Sequence, residues 1–131
     1  MPQKIILRVW YWAPAVIWMA FIFYGSSQSC VPQASIPNID KFFHTIEYFV
    51  LGYLTARAFC RSSDNQDYRN IFMAALIIAS LYGASDEFHQ RFVAGRSCDI
   101  FDFIFDVFGA SLGAWLCVYK ERVKNAVDKT V

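Results

Sequence analysis

Residues 85–106 read SDEFHQRFVAGRSCDIFDFIFD, from Ser85 to Asp106, and set seven charged side chains and His89 between two strongly apolar runs. Before them the apolar run spans Asn70 to Phe88, and the next spans Ile100 to Tyr119. Each is close to the roughly 20 residues a helix needs to cross a hydrocarbon core of about 30 Å. The charged stretch therefore reads as a hairpin between two membrane helices, turning at Ala94-Gly95.

Working outward, two more apolar segments cover about residues 5–24 and 42–59. The expected fold is all-α, a polytopic membrane protein built as a bundle of four transmembrane helices at about 5–24, 42–59, 70–88 and 100–119. A basic tail over 120–131 completes a single domain spanning 1–131. Breakers fall between the segments, with Pro32 and Pro37 in the first link and Ser62-Ser63-Asp64-Asn65 in the second. A composition 56% hydrophobic and 18% charged is tilted away from the quarter charged that is usual in soluble domains. A soluble bundle is disfavoured by the first segment, which carries only Lys4 and Arg8 and has no polar face. A cleaved secretory leader is disfavoured by Tyr24-Gly25-Ser26-Ser27, a poor small-x-small site. The net charge of +1, with dispersed basic residues, excludes nucleic acid as a partner.

Lys and Arg are retained on the cytoplasmic side of short loops. One side of the bundle holds nine of them, Lys4, Arg8, Arg57, Arg61, Arg69, Lys120, Arg122, Lys124 and Lys129, and the other only Lys41, Arg91 and Arg96. Both termini are therefore expected in the cytoplasm and residues 85–106 at the outer face. Cys30 and Cys98 share that face, the one where a disulfide could persist, while Cys60 and Cys117 lie toward the inner one. Spacing leaves open whether the outer pair is bridged.

Helical steps of about 100° place Asp40, His44, Glu47 and Leu51 on one face of the second helix. Asp99, Asp102 and Asp106 run into Gly109 and Gly113 on one face of the fourth, where small residues let helices approach closely. On the third helix Tyr82, Asp86, His89 and Gln90 share a face. Glu87 and Arg91, at i and i+4 on another, are expected to form a local ion pair. Seven acids (Asp40, Glu47, Asp86, Glu87, Asp99, Asp102, Asp106) then meet three cations (Lys41, Arg91, Arg96), an excess of −4. Protonation, a bound cation or a wet cleft must compensate it. The bland account is an interhelical polar network with Arg96 as its hub, serving only to lock the bundle.

The combination Phe23-Tyr24-Gly25-Ser26-Ser27-Gln28, Asp40-Lys41-x-x-His44-x-x-x-Tyr48-x-x-x-Gly52, Asp86-Glu87-x-His89-Gln90-x-Phe92-Val93-x-Gly95-Arg96 and Asp102-x-x-x-Asp106-x-x-Gly109-x-x-x-Gly113 resembles the VanZ-like family. That family is named for a teicoplanin-resistance accessory protein, and the resemblance covers about residues 20 to 115. It implies a small multi-pass protein of the bacterial inner (cytoplasmic) membrane with its polar signature near the membrane surface. It does not imply resistance, because family and fold do not carry function.

Three classes of function fit these residues. The first is binding of a cell-envelope ligand, a lipid-linked precursor or a glycopeptide, by an acid-rich pocket at the extracytoplasmic face. The residues expected to bind are Asp40, Lys41, His44, Tyr48, Asp86, Glu87, Gln90, Arg96, Asp102 and Asp106, within an aromatic rim of Phe42, Phe43, Tyr48, Phe88, Phe92 and Phe101. The second is a membrane-embedded hydrolase or transferase on a lipid-linked substrate, with His44, Glu47, Asp86 and His89 as catalytic candidates. A divalent cation would there be held among His44, Glu47, Asp86, His89, Asp102 and Asp106. The third is a transport or proton-linked role, for which four helices would need an oligomer to form a pathway. Membrane lipid is a partner in every case.

Overall fold

The computed structural model describes residues 2–29, 39–63, 67–96 and 99–130, with side chains from residue 7 in the first segment and residue 41 in the second. These residues form helices α1 (Pro2–Ser26), α2 (Ile39–Ser62), α3 (Tyr68–Gln90) and α4 (Ile100–Asp128). The helices are a few residues longer at most ends than their apolar cores. The greater difference is in α4, which runs on through the basic segment expected to be a separate tail. Its 29 residues carry it about 44 Å at 1.5 Å per residue.

The starts of α3 and α4 are set by side chains that satisfy unpaired backbone donors. Asp67 accepts from the N–H groups of Arg69 and Asn70, and Asp99 from that of Phe101. The four cysteines divide between two fates: Cys60 and Cys117 are buried on α2 and α4, whereas Cys30 and Cys98 lie outside the described residues.

Three helical segments, Leu7–Ser26, Tyr68–Gln90 and Ile100–Asp128, are long and apolar enough to cross a membrane. The second helix has the length but not the hydropathy, because Lys41, His44, Glu47, Arg57 and Arg61 interrupt it. Its place in the bundle accounts for that composition. It packs against all three other helices, most extensively against α4, and buries His44 and Thr55 among them.

The outside of the bundle is greasier than the inside. Val16, Ile17, Phe21, Leu81, Phe108 and Trp115 are exposed, while Ala75, Ala79, Ala110 and Ala114 are fully buried together with Asp106. Such a distribution suits lipid, where packing of small residues rather than exclusion of water draws helices together. The closest approach is between α2 and α4. A Cβ at Gly109 would strike the carbonyl oxygen of Thr45, one at Gly113 that of Phe49, and one at Gly52 that of Ala110. Glycine is needed at these positions because backbone occupies the space a side chain would fill.

Helix α1 lies against α2 and α3 and is tied by two hydrogen bonds to main-chain carbonyls. Trp18 Nε1 donates to Glu47 O at 2.9 Å, and Tyr82 Oη donates to Met19 O at 2.6 Å. At the opposite end from the acids, Arg61 pairs with Glu121 at 3.1 Å and Asn125 donates to Tyr68 Oη at 2.6 Å. The up-and-down topology thus brings the end of α1, the start of α2, the end of α3 and the start of α4 to one end of the bundle.

Candidate functional site

At that end the acids sort into three groups, two joining α2 to α4 at successive depths and one joining α3 to α1. The outermost group centres on Lys41, whose Nζ donates to Asp99 Oδ2 at 3.3 Å and Asp102 Oδ1 at 2.9 Å, joining α2 to the start of α4. The Phe101 N–H and then Lys41 hold the Asp99 carboxyl below the usual carboxylate range. One turn deeper, His44 Nδ1 lies 2.9 Å from Asp106 Oδ1, with His44 buried and Asp106 wholly inaccessible.

The third group links α3 to α1. Ser26 Oγ donates to Asp86 Oδ2 at 2.8 Å, and Gln90 Nε2 reaches the same oxygen at 3.2 Å. Ser27 Oγ and His89 Nε2 are 3.1 Å apart, with the imidazole stacked on Phe23 at 4.6 Å. Arg96 donates from Nη2 to Gly25 O at 3.0 Å and from Nε to Gln28 O at 3.3 Å. It therefore caps the end of α1, adding to the Gln28 N–H as a donor to Gly25 O and supplying one to Gln28 O just beyond the helix. Gly95, with φ of 82°, delivers Arg96 there, and a Cβ on it would sit 3.1 Å from Ser29 O. Both the left-handed backbone and the close approach call for glycine.

Two expectations for charge pairing are corrected. Arg96 is not the hub of an acid network, because backbone carbonyls occupy its guanidinium. Glu87 does not pair with Arg91. It is 4% exposed, and its Oε2 accepts from the Asp99 N–H at 3.1 Å, which fastens the end of α3 to the start of α4. The i, i+4 rule fails here because α3 is covered by α1 on one flank and by α2 and α4 on the other. The buried arc is then wide enough to hold Asp86 and Glu87 side by side. Arg91 is left at the surface, and among the described residues it has neither an ion pair nor a hydrogen-bonded side-chain partner.

The remaining candidates separate. Tyr48 is fully buried rather than on a rim, against Gly83, whose Cβ would meet its ring at 3.2 Å. Phe42, Phe43, Phe88, Phe92 and Phe101 are exposed. Glu47 is half-buried and makes no side-chain hydrogen bond among the described residues. Asp40 opens α2 with its side chain outside the described residues. Of the metal-ligand candidates, His44 and Asp106 come together with Glu87, while Asp86 and His89 face α1 and Asp102 faces Lys41.

Four buried polar atoms have no hydrogen-bond partner among the described residues: Tyr48 Oη, Asp86 Oδ1, Glu87 Oε1 and Asp106 Oδ2. On the Glu87 side a groove of about 600 Å³ opens between α3 and α4. Its lining includes Glu87, Phe88, Arg91, Asp99, Ile100 and Phe103. Helical periodicity assigns Arg91 to a local ion pair and gives Ser26 and Ser27 no part in the site. The available signal was two hydroxyls closing the first apolar run, at the end where the acids collect.

A four-helix protein with an apolar exterior, close glycine packing between α2 and α4, and a polar cluster at one end defines a class of small integral membrane proteins. Residues 11–121 match the VanZ/LLP1 family model, and the chain belongs to that family. No curated protein and no solved structure matches it.

Proposed function

We propose that this chain is a four-span protein of the bacterial inner membrane, with both termini cytoplasmic, that binds an anionic, amphiphilic envelope component. The occupant would be of the lipid-linked precursor or glycopeptide kind. The observation that carries this reading is Arg91, a guanidinium without a carboxylate partner among the described residues, lining a groove whose other walls include Phe88, Ile100 and Phe103 together with Glu87 and Asp99, whose carboxylates are engaged by the Asp99 N–H and by Lys41. A guanidinium offers paired donors suited to a phosphate, and the aromatic and aliphatic walls suit a lipid chain entering from the side. Lys41 and Arg96, expected to hold anionic groups, are engaged by Asp99 and Asp102 and by the end of α1. Four spans are supported by the interior position of α2, and the orientation by the nine-to-three division of basic residues.

The test is photo-crosslinking in membranes with a diazirine-bearing polyprenyl phosphate. Wild type is expected to capture the probe, with about ten- to a hundredfold loss in Arg91→Ala, the effect of removing a charged hydrogen-bond donor. Arg91→Lys should retain part of it. Capture that is absent in wild type, or equal in Arg91→Ala, refutes the reading.

A further inference from the structure

We infer that His44, Glu87 and Asp106 form a binding site for one divalent first-row transition ion, of the zinc class, held among α2, α3 and α4. This inference stands apart from the ligand proposed for the groove. One donor atom from each of the three residues lies within 4.8 Å of the other two, and all three residues are buried. Donors that share an ion through bonds of about 2.1 Å at tetrahedral angles sit roughly 3.4 Å apart.

Proximity of acids would not by itself make a site. The second observation is that two carboxylate oxygens here are sealed in the protein without a donor among the described residues: Asp106 Oδ2, on a residue 0% exposed, and Glu87 Oε1, on one 4% exposed. Asp106 Oδ2 would lie 3.2 Å from a Cβ on Gly83, one helical turn from Glu87 along α3, so it faces the helix that supplies the third donor. An unsatisfied carboxylate oxygen in a low-dielectric interior is costly, and a cation removes that cost.

Charge and chemistry agree on what fits. Two carboxylates and a neutral imidazole carry −2, which one divalent ion balances. The cations described at this end are committed elsewhere: Lys41 to Asp99 and Asp102, Arg96 to carbonyls, and Arg91 to the surface. One nitrogen and two oxygens suit zinc, manganese or iron, whereas calcium and magnesium prefer oxygen alone. Binding requires a neutral His44 and releases any proton shared between it and Asp106.

Full-length protein purified in detergent, supplied with Zn²⁺ and desalted, is expected to hold about one zinc per chain by plasma mass spectrometry. Asp106→Asn and Glu87→Gln should each lower that content severalfold, while Glu121→Gln, an acid at the opposite end of the bundle, should leave it unchanged. Should the variants fail to fold, Co²⁺-loaded wild type decides, since visible d–d bands without thiolate charge transfer mark a nitrogen and oxygen site. Substoichiometric zinc in wild type, zinc retained by folded Asp106→Asn and Glu87→Gln, or a thiolate band pointing to Cys60 and Cys117 would each overturn the inference. Loss of probe capture in Arg91→Ala with zinc retained separates this site from the groove.

Discussion

Replacing Gly113 by alanine tests the packing on which the polar cluster rests. The added methyl would meet the carbonyl oxygen of Phe49, with the Phe49 carbonyl carbon and the Tyr53 N–H beside it. None of these can swing aside as a side chain does, so α2 and α4 must part by roughly 1 Å or more to reach ordinary contact. Inserting a methylene into a well-packed core costs about 1–3 kcal/mol, and the rigid backbone here argues for the upper half of that range. Alanine returns up to about 1 kcal/mol through helix propensity, leaving a net loss of about 1–2 kcal/mol. Gly25→Ala supplies the reference, since nothing lies within 4 Å of a Cβ there, and it should be neutral or gain up to about 1 kcal/mol. The two variants should thus differ by about 1–3 kcal/mol, a gap of several degrees in Tm. Fluorescence-detected gel filtration after heating in detergent reads the difference. If Gly113→Ala melts at or above Gly25→Ala, backbone contact between α2 and α4 is refuted.

Ser26→Ala removes the shorter of two hydrogen bonds to the buried Asp86 Oδ2 and should cost about 1–3 kcal/mol. The same melting assay checks it, and no change would mean that α1 is not latched at this point. Asp99 gives a pH prediction with a definite sign. Its folded carboxyl titrates below the ordinary 3.8, so its stabilising effect is complete above that value and fades as pH falls through the lower folded one. The difference in Tm between wild type and Asp99→Asn should therefore hold level from about pH 8 to 5 and shrink below about pH 4. A difference that widens on acidification contradicts the Lys41 contact and the helix cap together.

The apolar runs were legible because a span needs length and continuity, and Gly109 and Gly113 announced a packing face through their spacing. The second helix was legible only in part. Its hydropathy reflects Lys41, His44 and Glu47 turned toward neighbours that a one-dimensional pattern does not contain. The same blindness explains Glu87. Helical periodicity ranks positions around one axis, but the buried arc depends on how many helices surround that axis, and α3 has neighbours on both flanks. The Phe23-Tyr24-Gly25-Ser26-Ser27-Gln28 motif could be noticed in the sequence without being understood. Its hydroxyls act on residues 60 and 62 positions away, and its carbonyls receive Arg96 from 68 and 71 positions away. The end of α4 was misread because basic residues signal a membrane boundary, and a helix crosses such a boundary without interruption.

The pairing of α2 with α4 also bears on the order in which the chain can be assembled. On the four-span reading, α2 is too polar to enter lipid unaided, and the helix that shields it best, α4, is synthesised only after α3. Until α4 emerges, Lys41 lacks Asp99 and Asp102, His44 lacks Asp106, and the glycine contacts have no second surface. Insertion of α2 would then wait on α4, with the biosynthetic machinery holding an incompletely shielded segment in the interval. A nascent chain ending after α3 should hold α1 and α3 in the membrane while α2 stays accessible from outside the bilayer, which makes α4 the step that commits α2 to the membrane.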